Sequence, residues 1–317
     1  MLYKYQTALI YPANFPDGSR TVVWTPDKFN MPDYEDLTLS TADKVKIRAY
    51  LIKNKVDVHD RSRSTKSIGQ DGLSPYTLLY LHANAGNMGH RLPFAYHLHR
   101  ILKCNILLLS YRGYGLSEGS PDEAGIRLDA QAALDYITSH PTLRFSKVIV
   151  FGQSIGGAVA IHLASADPER VHGLVVENTF LSLPRLIPHI MPVVARFSFL
   201  CHQIWPSYKA ITAVPRTIPI LMLSGLQDEL VPASHMHALA RICRAYREDA
   251  SVDIEAIADS TRTDKEKTNA SAAQELVKDQ VGVRFVGLRN GRHNDTCIQP
   301  GYFEQISQWW EAFIVNG

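Results

Sequence analysis

Val148-Ile149-Val150-Phe151-Gly152-Gln153-Ser154-Ile155-Gly156-Gly157-Ala158-Val159-Ala160 is the stretch from which the rest of the chain is read. A short apolar run, rich in β-branched residues, meets Gly-x-Ser-x-Gly and passes directly into small helix-forming residues. The order is strand, sharp turn, helix, the setting that a nucleophile elbow requires. Five residues of this pattern recur by chance in many chains, so the weight lies in the strand before it and the helix after it. A serine at the apex of so tight a turn adopts a strained backbone. Side chains at Gly152 and Gly156 would collide with the neighbouring strand and helix. Held there, the Ser154 hydroxyl is exposed, and the amide of Ile155 points to where an oxyanion would form.

Around the elbow, from residue 76 onward, short apolar strands alternate with helical segments. Strands are expected at residues 77–82, 105–111, 147–151, 171–177, 218–224 and 282–287. Helices are expected at residues 122–138 and 155–166, and Phe303, Ile306, Trp309, Trp310 and Phe313 place one apolar face on a closing helix. Such alternation means a mainly parallel sheet covered on both faces, an α/β fold. Upstream, residues 34–39 and 45–52 read as an antiparallel pair at the sheet edge.

Four segments depart from this pattern. Residues 1–30 are aromatic and proline-rich and are expected to form an extended N-terminal arm. Residues 53–74 form a polar insertion. Residues 180–211 are apolar but punctuated by Pro184, Pro188 and Pro192, as suits a cap over a pocket. Residues 247–280 read as a second polar insertion, flexible or a solvated helix, without a catalytic group. All 317 residues are read as a single domain.

Hydrophobic content of 45% and charged content of 20% are those of a globular protein, and a net charge of +2 gives no reason to propose nucleic acid. Cys104, Cys201, Cys243 and Cys297 contain no C-x-x-C pair, which argues against a zinc knuckle, a redox motif or a disulfide scaffold. His90, His97 and His99 lack the spacing of a zinc site. The glycines of residues 113–119 are one position out of register for a nucleotide loop. No metal or cofactor is expected. No stretch reaches the roughly 18 unbroken apolar residues of a membrane span, and Met1–Gln6 lacks the apolar core of a signal peptide. On sequence the chain reads as soluble, or at most peripherally attached.

A serine hydroxyl is a poor nucleophile at neutral pH and needs a base, with a carboxylate to orient that base. In a sheet of this kind such groups gather at the carboxyl ends of the strands. After residues 218–224 the chain reads Gly225-Leu226-Gln227-Asp228-Glu229-Leu230-Val231-Pro232. Asp228 is the better placed acid, because Gly225 opens a turn before it and Val231-Pro232 closes the loop; Glu229 is the alternative. His293 is the only histidine after the last strand. The order Ser154, Asp228, His293 is the one expected of an α/β-hydrolase. After the strand at 77–82, His82-Ala83-Asn84-Ala85-Gly86-Asn87 offers small residues through which the Asn84 amide, with that of Ile155, would hold an oxyanion.

Four motifs in register resemble one family. They are residues 81–91, Leu-His-Ala-Asn-Ala-Gly-Asn-Met-Gly-His-Arg; residues 111–119, Tyr-Arg-Gly-Tyr-Gly-Leu-Ser-Glu-Gly; residues 152–157; and His293-Asn294-Asp295-Thr296. The family is the α/β-hydrolase-domain group of the fungal bud-emergence-related hydrolases and their animal relatives. The resemblance runs from about Leu9 to the C-terminus apart from the two polar insertions. It implies catalytic roles for Ser154, Asp228 and His293, removal of long-chain acyl groups from protein cysteines, and association with endomembranes such as the endoplasmic reticulum. Family members carry a hydrophobic anchor ahead of a segment like Leu9-Ile10-Tyr11-Pro12, and these residues show none. Ala83 stands where the family has Gly, so a positive φ there would strain the oxyanion loop.

The expectation is therefore a serine hydrolase of ester or thioester bonds acting through an acyl-enzyme. Its substrate would be an acyl ester or an acylated protein, with an acyl channel or a peripheral membrane contact formed by the apolar residues of the cap. The rival readings are a peptidase of the prolyl-oligopeptidase clan and a scaffold that keeps the fold without turnover.

Overall fold

The computed structural model describes residues 2–55, 72–261 and 277–317. Its strands are β1 (Tyr34–Ser40), β2 (Lys46–Ile52), β3 (Tyr76–Leu81), β4 (Asn105–Ser110), β5 (Lys147–Gln153), β6 (Gly173–Glu177), β7 (Ile220–Gly225), β8 (Val277–Gln280) and β9 (Val283–Leu288). Its helices are α1 (Leu2–Ile10), α2 (Leu92–Leu102), α3 (Glu123–Ser139), α4 (Ile155–Ala166), α5 (Leu183–Ile190), α6 (Ser207–Ala210), α7 (Ala233–Arg247), α8 (Ile254–Ser260) and α9 (Tyr302–Trp310).

The strands form one sheet in the order β1-β2-β4-β3-β5-β6-β7-β9-β8. From β4 to β9 they run parallel, while β1, β2 and β8 are antiparallel to their neighbours. Alternation along each strand feeds two cores. Leu79, Leu81, Val150 and Val176 pack with Ile126 of α3, Val159 of α4 and Leu239 of α7. Leu78, Tyr80, Phe151 and Leu223 pack with Leu98 of α2 and Trp309 of α9. Burial on both faces is why the central strands read as unbroken apolar runs. The parallel register aligns Leu81 with Gly152, Gln153 with Glu177 and Gly225 with Leu288, so the loops that follow β3, β5, β6, β7 and β9 emerge at one edge.

The arm is not extended throughout, because residues 2–10 form α1. The first proline is Pro12, so nothing breaks a helix ahead of it. The arm lies against the cap. Gln6 Nε2 donates to the Leu200 carbonyl at 3.3 Å, and its Oε1 accepts from the His202 amide at 2.8 Å. The Tyr11 hydroxyl donates to Gln203 Oε1 and accepts from Trp205 Nε1, both at 2.9 Å. The cap consists of α5, with Pro188 inside it, and a 3-10 helix, Pro192–Leu200, so the prolines divide it into short helical pieces as expected.

The second insertion also differs from its expectation. Residues 262–276 lie outside the described residues, but both flanks are structured. Arg247 at the end of α7 is buried and donates to the carbonyls of Pro215 at 3.0 Å and Ile218 at 2.7 Å. Residues 277–280 form β8, an edge strand that pairs through its backbone and has no apolar alternation to announce it. Of the first insertion, residues 56–71 lie outside the described residues, and Lys55 bridges Leu73 across their ends. Helices α2 and α7 were not expected from the sequence, although Leu92, Ala95, Leu98 and Leu102 recur at helical spacing and are buried. Among the described residues no helix is long and apolar enough to cross a membrane.

Candidate active site

Strand β5 and helix α4 meet at Ser154, whose φ of 54° and ψ of −119° place it in a region that residues with side chains rarely occupy. The two glycines of the elbow are sterically required. A Cβ on Gly152 would lie 2.1 Å from the Gly156 carbonyl oxygen, and one on Gly156 would lie 2.2 Å from the Leu81 carbonyl oxygen of β3. The apex is pinned from the side by β6: the Ser154 amide donates to the Glu177 carbonyl, and the Thr179 hydroxyl donates to the Ser154 carbonyl, both at 2.8 Å.

Beyond β7, Asp228 Oδ1 accepts from the amides of Leu230 and Val231, each at 2.8 Å, which closes the loop and turns the other carboxylate oxygen inward. Beyond β9, the backbone of His293 is held on both sides. Its carbonyl accepts from Asn178 Nδ2 at 3.2 Å and Gln153 Nε2 at 3.4 Å, and its amide donates to Glu229 Oε2 at 3.3 Å. The imidazole then spans the gap. Nδ1 lies 2.8 Å from Asp228 Oδ2, and Nε2 lies 3.1 Å from Ser154 Oγ. Ser154 and His293 are 8% and 5% exposed, so the hydroxyl sits at the floor of a cavity rather than on open surface. Hydroxyl, imidazole and carboxylate are in mutual reach, the arrangement that proton transfer from serine to imidazole needs.

The structure brings together all three residues chosen for the hydroxyl chemistry. Asn84 and Ile155 line the same cavity beside Ser154. The left-handed conformations of the loop after β3 fall on Ala85, at φ 67°, and Gly86, at φ 69°, so the strain expected at Ala83 is absent from that position. Asn84 is braced by its side chain: Nδ2 donates to the Ile10 carbonyl and Oδ1 accepts from the Tyr114 hydroxyl, both at 2.5 Å. The arm therefore touches the loop after β3 directly.

Two residues of the site were missed in the sequence. Glu177 ends β6, buried directly behind the elbow, where its carboxylate accepts from Gln153 Nε2 at 3.1 Å and from the Tyr302 hydroxyl. Burial raises its pKa to about 7 against the opposing pull of the Tyr302 hydrogen bond and the nearby His293. Its signal was an acid closing an otherwise apolar strand. Arg91, at the start of α2, reaches back over the loop after β3 and donates through Nη2 to the carbonyls of Ala85 at 3.0 Å and Ala83 at 3.4 Å.

The cavity encloses about 670 Å³. Its walls come from the arm (Leu9, Ile10, Phe15), the cap (Phe180, Leu183, Leu186, Ile187, Val194, Phe197) and Leu230 beyond β7. Among the described residues no group of His, Cys, Asp and Glu is arranged to hold a metal ion.

A family model described as alpha/beta hydrolase fold matches residues 76–199. The chain is 38% identical over 319 residues to Protein bem46 of Schizosaccharomyces pombe, covering 99% of this chain and 89% of that one. It is 39% identical over 305 residues to the uncharacterized membrane protein YNL320W of Saccharomyces cerevisiae, covering 96% and 88%. Among solved structures, the Pyrococcus furiosus esterase Pf2001 superimposes with a TM-score of 0.65 at 17% identity, covering 92% of this chain and 95% of that one. At so low an identity this last likeness establishes the fold.

Proposed function

The chain belongs to the α/β-hydrolase-domain family that includes Protein bem46, and on that premise we propose that it is a serine hydrolase of carboxylic ester or thioester bonds. The observation that carries the reading is the imidazole of His293, 3.1 Å from Ser154 Oγ on one side and 2.8 Å from Asp228 on the other. His293 takes the serine proton as Oγ bonds to the carbonyl carbon, and the amides of Asn84 and Ile155 hold the oxyanion. The bond from carbon to the alcohol or thiol then breaks, and His293 returns the proton to that leaving group. Water, activated by the same histidine, releases the acid and restores Ser154. Asp228 keeps Nδ1 protonated so that Nε2 is free to act.

The substrate class follows from the walls. A cavity of about 670 Å³ with mainly apolar walls suits a medium or long acyl chain, and acylated protein cysteines fall within that class. Exposed apolar side chains stand beside the cavity on the cap, Val193 at 90% and Phe199 at 76%. They support peripheral contact with a membrane surface, in keeping with the name of the Saccharomyces cerevisiae relative. A fluorophosphonate probe tests the reaction class. It should label the wild-type protein and leave Ser154→Ala unlabelled; labelling that survives the substitution places the nucleophile elsewhere, and no labelling of either favours a scaffold.

A further inference from the structure

Among the residues that line the cavity, Arg91 alone carries a permanent charge. No described carboxylate pairs with it. Its partners are the two loop carbonyls, both engaged through Nη2, while Nη1 makes no described hydrogen bond and Nε is buried without a partner. A guanidinium has five donors in a planar fork matched to carboxylate and phosphate oxygens. In surroundings this apolar its field is screened far less than on open surface, so an arriving anion meets an unneutralised charge.

We infer that Arg91 binds an anionic group, carboxylate or phosphate, on the alcohol or thiol side of the scissile bond. The inference rests on the serine-hydrolase reading and names the class of leaving group. The elements that line the cavity differ in chemistry. Leu183, Leu186 and Ile187 of the cap, which follows β6, provide apolar surface and no donor for an anion. Arg91 follows β3 and lies against the loop that holds Asn84, with His90 beside it. On this inference the acyl chain lies against the cap and the departing group lies toward the loop after β3, which Arg91 contacts. The alternative role for Arg91, bracing the loop carbonyls alone, would act on every substrate equally. Anion binding discriminates by the charge of the leaving group.

The test compares 2-nitrophenyl octanoate with 3-octanoyloxy-4-nitrobenzoate, the same ester bearing a carboxylate on the leaving group. The wild type should favour the anionic ester by about tenfold or more in kcat/KM. Arg91→Met should bring that ratio to near one, chiefly through KM for the anionic ester, and Arg91→Lys should retain part of it. A ratio near one in the wild type overturns the inference. So does an equal loss on both esters in Arg91→Met with the ratio unchanged, which assigns Arg91 to loop bracing. If Arg91→Met fails to fold, Arg91→Gln replaces it and is compared with the wild type: relative to decanol, decyl phosphate or decanoate should bind at least about tenfold more tightly to the wild type than to the variant, and the difference should shrink at high salt. Equal binding of all three overturns the inference, and the ranking of the two anions separates phosphate from carboxylate. Turnover of neither ester would sink the serine-hydrolase reading instead, and titration calorimetry of the wild type and the Arg91 variant with decyl phosphate would still test the anion site.

Discussion

Asp228 Oδ2 lies 2.8 Å from His293 Nδ1, whereas the adjacent Glu229 reaches the same histidine only at its backbone amide, at 3.3 Å. The two acids are neighbours in sequence and unequal in chemistry. Asp228→Asn should lower kcat on the order of 10⁴-fold, because an amide opposite Nδ1 favours the wrong tautomer. Glu229→Gln keeps an oxygen for the His293 amide and should cost less than about tenfold. Steady-state kinetics on one ester checks both, and the reverse ranking would move the acid to Glu229.

Gly156→Ala should prevent stable folding rather than slow the chemistry. The new Cβ would meet the Leu81 carbonyl oxygen at 2.2 Å, and that oxygen belongs to the central strand β3, which cannot shift alone. A loss of more than about 3 kcal/mol is expected, against about 1 kcal/mol for a typical substitution. Urea denaturation measures it; a variant of wild-type stability would mean that the elbow is looser than its contacts imply.

Glu177 should make stability depend on pH. Burial raises its folded pKa to about 7, above the ordinary carboxylate value near 4.5. Between these two values the folded protein holds a proton that the unfolded chain has released. Its contribution is therefore fully present below pH of about 4.5, declines as pH rises, and is lost above about 7. The whole excursion is on the order of 3 kcal/mol. Glu177→Gln removes this titration, so its stability relative to wild type should climb across the window. Chemical denaturation of both proteins at intervals from pH 5 to 8 checks it, and parallel profiles would assign the pH dependence to other groups.

Acyl length should govern efficiency. Each methylene buried under the cap contributes about 0.8 kcal/mol, so kcat/KM should rise steeply from acetyl to octanoyl esters. Leu186 is 5% exposed and lines the cavity, and Leu186→Trp adds volume inside it. The substitution should penalise octanoyl esters more than acetyl esters. Equal efficiency on both lengths in the wild type would rule out an acyl channel.

Membrane contact should depend on the exposed side chains of the cap. Val193 and Phe199 do not line the cavity, so Val193→Asp combined with Phe199→Asp should reduce sedimentation with phosphatidylcholine vesicles several-fold while leaving hydrolysis of a monomeric short-chain ester near wild type. Unchanged sedimentation would remove the cap from any membrane contact.

The elbow at Ser154, the α/β order of strands and helices, and an acid at 228 or 229 followed by His293 were legible in the chain itself. Each is written in near neighbours: glycines two residues either side of a serine, apolar runs of strand length, a small residue opening a turn. The cap was legible in the same way, because a proline breaks a helix wherever it falls. Other features were decided only by the tertiary structure. Which of two adjacent acids meets His293 depends on how two turns, 65 residues apart, face one another. Gln6 binds cap residues 194 and 196 positions away, and through Ile10 the arm reaches the loop after β3. Glu177 reads in the sequence as a strand end and Arg91 only as the last residue of a family motif. Their meaning appeared once the parallel register had set one behind Ser154 and the other beside the cavity. Local patterns record what the backbone can do nearby, whereas the distance between remote side chains is set by the register and packing of the whole sheet.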